Sequence, residues 1–191
     1  HRLAARLAQI SSALLISCKK LLPATSVEAA VLAMGALHRR KPRAAGAPLV
    51  RVTADDTAGV AVVQLCDEQR SNTISHELAV DVLRAATSVR RQRAIRAIAL
   101  YGKGAHFSVG VNPYNYSSGM RAPLAASAYS CEQLLEGFVQ LRGLCVPFIC
   151  AVHGKLIGAA LAASLNADYM VADVDASFCH GNIVRGVCPL G

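Results

Sequence analysis

Tryptophan is absent from the 191-residue chain, and aromatic residues of all kinds make up 5% of it. Its basic clusters, His38-Arg39-Arg40-Lys41-Pro42-Arg43 and Arg90-Arg91-Gln92-Arg93-Ala94-Ile95-Arg96, therefore lack the interleaved rings of a base-stacking platform, and no nucleic-acid partner is expected. Acidic residues are scarce, 12 against 20 Lys and Arg, for a formal charge of +8. That balance permits an anionic partner without requiring one, since charge runs mostly mark solvated linkers and helix ends. Long hydrophobic runs are missing too: none approaches the roughly 18 to 20 residues that span a bilayer, so no membrane association is expected. Seven cysteines are present, but none form a C-x-x-C pair and the count is odd. This argues for reduced thiols in a cytoplasmic setting rather than a disulfide framework. Cys179, His180 and Cys188 lack zinc-ligand spacing, so no metal is expected. No secretory pattern is visible at the N-terminus, which leaves the sequon Asn115-Tyr116-Ser117 without consequence.

What the chain does have is apolar content: 53% hydrophobic residues over 191 positions suffice for one domain plus a further segment. It opens on His1 and closes on Cys188-Pro189-Leu190-Gly191 with no terminating helix pattern, so a piece of a longer polypeptide is expected. Residues 1–37 read as helical, with Leu3, Leu7, Ile10, Leu14, Cys18 and Leu21 at helical spacing ahead of Pro23. Residues 38–49 form a basic linker carrying Pro42, Gly46 and Pro48. From 50 to 191 strands and helices alternate. Val60 to Leu65 is a β-branched run, and Ser75 can cap a helix with the stripe Leu78, Val82, Ala86 and Val89. Residues 95–101, 147–152 and 169–172 read as strands, 102–119 as a loop and 131–144 as a helix. The alternation predicts an α/β fold with mostly parallel strands.

Two glycine-bearing turns each follow a strand. In "HGKLIGAALAASLNAD", residues 153–168, the turn opens a helix with no acid, base or nucleophile in its first turns. A helix start exposes unpaired N–H groups and the positive end of the dipole, which suits a phosphate or a developing oxyanion. Dinucleotide binding fails on spacing, because Gly154-x-x-x-Gly158 lacks the glycine that admits a pyrophosphate and no G-x-x-x-x-G-K-[ST] is present. In the other turn, Lys103 to Asn112, Gly110 frees the next N–H to point into a cleft. The N–H groups of Val111 and Ala159 can then share one thioester oxygen as an oxyanion hole.

The series Gln69-Arg70-Ser71-Asn72-Thr73-Ile74-Ser75, Ala105-His106-Phe107-Ser108-Val109-Gly110-Val111-Asn112, Pro147-Phe148-Ile149-Cys150-Ala151-Val152-His153-Gly154, Ile157-Gly158-Ala159-Ala160, Ala167-Asp168-Tyr169-Met170-Val171-Ala172 and Ala176-Ser177-Phe178 resembles the enoyl-CoA hydratase/isomerase (crotonase) family in order and spacing. The resemblance covers residues from about 50 to 191. It implies a crotonase-like spiral of ββα repeats, of the ClpP/crotonase-like class, here C-terminally truncated and preceded by a helical segment. It implies an acyl thioester of coenzyme A or of an acyl-carrier protein's phosphopantetheine as substrate, no separate cofactor, and a homo-trimer or hexamer in the full-length parent. Val111 and Ala159 fall on the oxyanion donors, Gly110 and Gly158 stand in their turns, and Ser71, Thr73 and Tyr114 are the accompanying substrate-contact candidates. Residues 1–37, with Leu3 to Ile10 and Lys19-Lys20, resemble the C-terminal tail of a preceding copy, implying a tandem or multidomain parent.

The chain departs from the family at both catalytic glutamates, which fall on Ala162 and Asn182. Neither residue activates water as a carboxylate does, so decarboxylation or isomerisation through a thioester enolate is expected over plain hydration. Ser177-Phe178-Cys179-His180-Gly181-Asn182 with His153-Gly154 resembles copies associated with polyketide β-branching, within polyketide or fatty-acid metabolism. His180 and Asn182 are candidates to supply a proton or orient a carboxylate, although a histidine at a strand end packs or caps more often than it catalyses. His153 reads as structural. The alternative is a non-catalytic copy of the same fold that binds acyl thioesters or serves in assembly.

Overall fold

A computed structural model of the chain describes residues 47–111 and 134–181. The expectations for residues 1–37, for most of the 38–49 linker, and for Tyr114 and Asn182 lie outside them. The described elements run β1 (Val50–Asp55), β2 (Val60–Leu65), a 3-10 turn (Glu68–Arg70), α1 (His76–Arg90), β3 (Ala97–Gly102), β4 (Phe148–Val152), β5 (Lys155–Ile157), α3 (Ala159–Ser164), β6 (Tyr169–Ala172) and β7 (Ser177–Cys179). A further helix, α2, occupies 134–142 between β3 and β4.

The main sheet has the order β1-β2-β3-β4-β6. β1 and β2 are an antiparallel hairpin with Val50 opposite Leu65 and Asp55 opposite Val60. Asp55 Oδ1 accepts from the Ala58 N–H at 2.9 Å, and Gly59 takes φ +68 to complete the turn. The pairs β2–β3, β3–β4 and β4–β6 are parallel. β5 and β7 make a separate two-stranded parallel ribbon. This is the mostly parallel α/β arrangement that the alternation predicts.

Both faces of the sheet are buried, which is why β2, β3 and β4 read as continuous apolar runs rather than alternating ones. On one face Ala61, Val63, Leu65, Ile98, Leu100, Phe148, Cys150 and Val152 join the core that α1 completes with Leu78, Ala79, Val82, Ala85, Ala86 and Val89. On the other, Val60, Val62, Ala97, Ala99, Tyr101, Ile149, Ala151 and Val171 form a second buried cluster. Ser75 caps α1, its side chain accepting from the Leu78 N–H at 3.2 Å. α2 presses on α1 at Gly137, where a methyl group would lie 2.7 Å from the Leu83 nitrogen. The missing side chain at Gly137 sets the approach of the two helices. Asp168 fixes the entry to β4 by accepting from the Phe148 N–H at 2.8 Å, while its own N–H donates to the Phe148 carbonyl at 2.8 Å.

Candidate active site

The loop after β3 is built around Asn72. This residue is fully buried and takes φ 52, a left-handed conformation that asparagine tolerates better than most side chains. Its Oδ1 accepts from the Asp67 N–H at 2.9 Å, and its Nδ2 donates to the carbonyls of Lys103 at 2.9 Å, His106 at 2.9 Å and Phe107 at 3.0 Å. The side chain thus ties the turn before α1 to the loop after β3. An ion pair between Lys103 Nζ and Glu68 Oε1 at 2.9 Å joins the same two segments. Ser108 continues the connection, donating its hydroxyl to the Asn72 carbonyl at 2.6 Å and accepting from the Gly110 N–H at 3.2 Å. The loop ends in Gly110, at φ +81, followed by the half-buried Val111.

This loop lies alongside the second turn. The Phe107 N–H donates to the His153 carbonyl at 2.9 Å, Ser108 to Lys155 at 3.2 Å, and Ile157 back to Ser108 at 3.2 Å. Gly154, at φ +57, permits the approach, since a methyl group there would sit 2.0 Å from the Ala105 carbonyl oxygen. His153 Nε2 donates to the Gly104 carbonyl at 3.0 Å, spanning the two turns. Gly110 marks a second close meeting: a methyl group on it would lie 2.5 Å from the Ile157 carbonyl oxygen and 3.5 Å from the Ala159 nitrogen. Gly158, at φ 58, precedes α3 and gives its carbonyl to the Leu161 and Ala162 N–H groups. At the helix start the Ala159 N–H has no intrahelical acceptor. The N–H groups of Val111 and Ala159 are both unspent among the described residues.

β7 flanks the second turn. The Gly158 N–H donates to the Cys179 carbonyl at 2.8 Å, and a methyl group on Gly181 would lie 3.2 Å from Ile157 Cγ2 and 3.9 Å from the Gly158 nitrogen. His180 stands between these contacts, half-buried, and its buried Nδ1 has no hydrogen-bond partner among the described residues. Ala162 lies in the first turn of α3, half-buried and without a polar atom to offer.

The sequence candidates therefore fall into three groups. Gly110, Val111, Gly158 and Ala159 come together, with His180 on the chain that flanks them. Ser71 and Thr73 sit at the base of the loop: the Ser71 carbonyl accepts from the Val109 N–H at 3.2 Å, and the Thr73 hydroxyl donates to the Arg70 carbonyl at 2.6 Å. Tyr114 and Asn182 lie outside the described residues. Sequence reasoning singled out neither Asn72 nor Ser108, whose contacts support the loop. The available signal was a lone asparagine inside a polar turn, a residue suited to φ above zero. Among the described residues no group of His, Cys, Asp or Glu is arranged to hold a metal.

The family model for enoyl-CoA hydratase/isomerase matches residues 55–191. The chain belongs to this family. A Mycobacterium tuberculosis protein named "Probable enoyl-CoA hydratase EchA12" is 29% identical over 133 residues, 67% of this chain and 46% of that protein. The Escherichia coli 1,2-epoxyphenylacetyl-CoA isomerase is 27% identical over 132 residues, 69% of this chain and 50% of the isomerase. A Thermobifida fusca protein solved in complex with acetoacetyl-CoA superposes with a TM-score of 0.63 at 25% identity, covering 74% of this chain and 57% of that one. The fold is accordingly crotonase-like, and the chain spans about half the length of the curated relatives it matches. Among the described residues no helix is long and apolar enough to cross a membrane.

Proposed function

We propose that the full-length protein acts on acyl thioesters, carried by coenzyme A or by an acyl-carrier protein, and that it does so by stabilising a thioester enolate between the N–H groups of Val111 and Ala159. The observation that carries this reading is the contact between the two glycine turns, each ending in an N–H that is unspent among the described residues. Fixed dipoles of this kind act on charge that develops in the transition state, and one such donor is typically worth about 100- to 1,000-fold in rate.

Ala162 favours decarboxylation or isomerisation over hydration, because its methyl group takes no proton from water. In a decarboxylation the bond from the α-carbon to the carboxylate breaks, its electron pair enters the thioester carbonyl as the enolate, and carbon dioxide leaves. A proton then returns to the α-carbon, and His180, whose Nδ1 has no partner among the described residues, is the first candidate donor, with Asn182 as the second candidate for supplying a proton or orienting the carboxylate. A role in polyketide β-branching, a homo-trimeric or hexameric assembly and a cytoplasmic setting complete the reading; the family resemblance supports them. No separate cofactor is invoked.

Turnover of malonyl-type, glutaconyl-type and enoyl thioesters by the full-length protein tests it. Release of carbon dioxide or double-bond migration, in excess of hydration, is the expected result. Tight binding of all three classes with no product would overturn it in favour of a non-catalytic thioester-binding copy.

A further inference from the structure

We infer that Asn72 and Ser108 are positioning residues that aim the Val111 N–H, an inference that rests on the oxyanion reading proposed above. A planar trans peptide unit points its N–H opposite to the carbonyl across the same bond. The carbonyl sharing a peptide with the Val111 N–H is that of Gly110, and it accepts from the Ile74 N–H at 2.9 Å. Holding that carbonyl on the Ile74 N–H turns the Val111 N–H away from Ile74. The preceding peptide is held as well, because the Gly110 N–H donates to Ser108 Oγ at 3.2 Å. Gly110 at φ +81 is thus fixed on both sides, and both restraints lead back to one residue. Ser108 Oγ donates to the Asn72 carbonyl at 2.6 Å, and Ile74 stands two residues after Asn72 in the turn that the Asn72 side chain ties down.

Both residues are buried, Asn72 at 0% and Ser108 at 1% relative exposure, so water does not compete for these bonds. The side chain of Asn72 spends its donors on three carbonyls and its oxygen on the Asp67 N–H, leaving nothing to offer a substrate. Their contribution to chemistry therefore passes through Gly110 and Val111. A loop restrained in this way needs no reorganisation when charge appears on the thioester oxygen, which is what makes a fixed dipole effective.

Ser108→Ala tests the inference in the full-length protein, with acetoacetyl-CoA as the probe. The ultraviolet band of its enolate, followed against pH, gives the ionisation of the bound thioester; binding at low pH gives affinity for the neutral form. Ser108→Ala is expected to reduce enolate stabilisation about tenfold while changing neutral-form affinity less than about twofold, as displacement of a donor rather than loss of binding surface requires. Ser108→Cys, which keeps the size and a weak acceptor, is expected to fall between Ser108→Ala and wild type and provides the reading if the alanine variant does not fold. Equal enolate stabilisation in the folded variants and wild type overturns the positioning role alone. A wild-type protein that binds acetoacetyl-CoA without favouring its enolate overturns the oxyanion reading and this inference with it.

Discussion

Gly110→Ala is expected to separate the two turns that make the site. At φ +81 an alanine is strained by about 1 to 2 kcal/mol whatever the space around it. Space is also lacking, since the added carbon would lie 2.5 Å from the Ile157 carbonyl oxygen and 3.3 Å from its carbon. Ile157 cannot simply retreat: it pairs with Cys179 in the β5–β7 ribbon, and its N–H is bonded to Ser108. Opening the contact from 2.5 Å to even 3.0 Å displaces the turns by about 0.5 Å. A 1 Å error in placement can cost about 100-fold in rate, so a shift of half that size is expected to cost at least about tenfold in enolate formation. Total destabilisation of about 2 to 4 kcal/mol is expected in denaturant unfolding, the strain and the displaced contacts together. Gly143→Ala is the control, because its nearest neighbours are 3.6 Å away and it should unfold like wild type or slightly later. If Gly110→Ala matches wild type in both unfolding and formation of the acetoacetyl-CoA enolate, the two turns do not meet as described.

Leu78→Ala, which empties a fully buried position under the sheet, is expected to cost about 2 to 5 kcal/mol in denaturant unfolding; a loss below about 1 kcal/mol would contradict the packing of α1. Burial raises the thiol pKa of Cys66, against the lowering influence of Arg51 and Lys103, and raises that of Cys150. Since the thiolate is the nucleophile, iodoacetamide at neutral pH should modify the exposed Cys145 and Cys179 well before either; equal rates, read by peptide mass spectrometry, would count against the buried placement. Ala162→Glu with Asn182→Glu should raise hydration of an enoyl thioester above background, and more than either change alone, since the pair shares one water and one proton path. A folded, thioester-binding double variant with no gain would show that the lack of carboxylates at positions 162 and 182 is not what limits hydration.

The elements legible in the sequence were those whose burial imposes a pattern. β2 and β4 stand out because both faces of the sheet are covered, and α1 because its stripe and the Ser75 cap agree. β1 did not stand out: as a sheet edge it is buried only at Val50, with the rest half-buried or exposed. β5 has three residues, too few for any period, and hides inside what reads as a turn. The helix opened by "HGKLIGAALAASLNAD" is shorter than its alanine content suggests: it ends at Ser164, and the next N–H groups tighten into three-residue turns, Asn166 donating to the Ala163 carbonyl at 3.2 Å and Ala167 to the Ser164 carbonyl at 3.0 Å. The glycines announced both turns of the candidate site, and Gly110 and Gly158 do take positive φ. Their meeting is a tertiary event, carried by the Ser108–Leu156 bridge between segments far apart in sequence, and no local spacing encodes it. Asn72 was illegible for the same reason, since three of its four side-chain partners lie on the loop after β3.

The position of the thioester oxygen decides the central claim. A crystal structure of the full-length protein with acetoacetyl-CoA is expected to place that oxygen about 2.7 to 3.1 Å from the nitrogens of both Val111 and Ala159. A thioester bound with its oxygen beyond hydrogen-bond distance of either nitrogen would contradict the account.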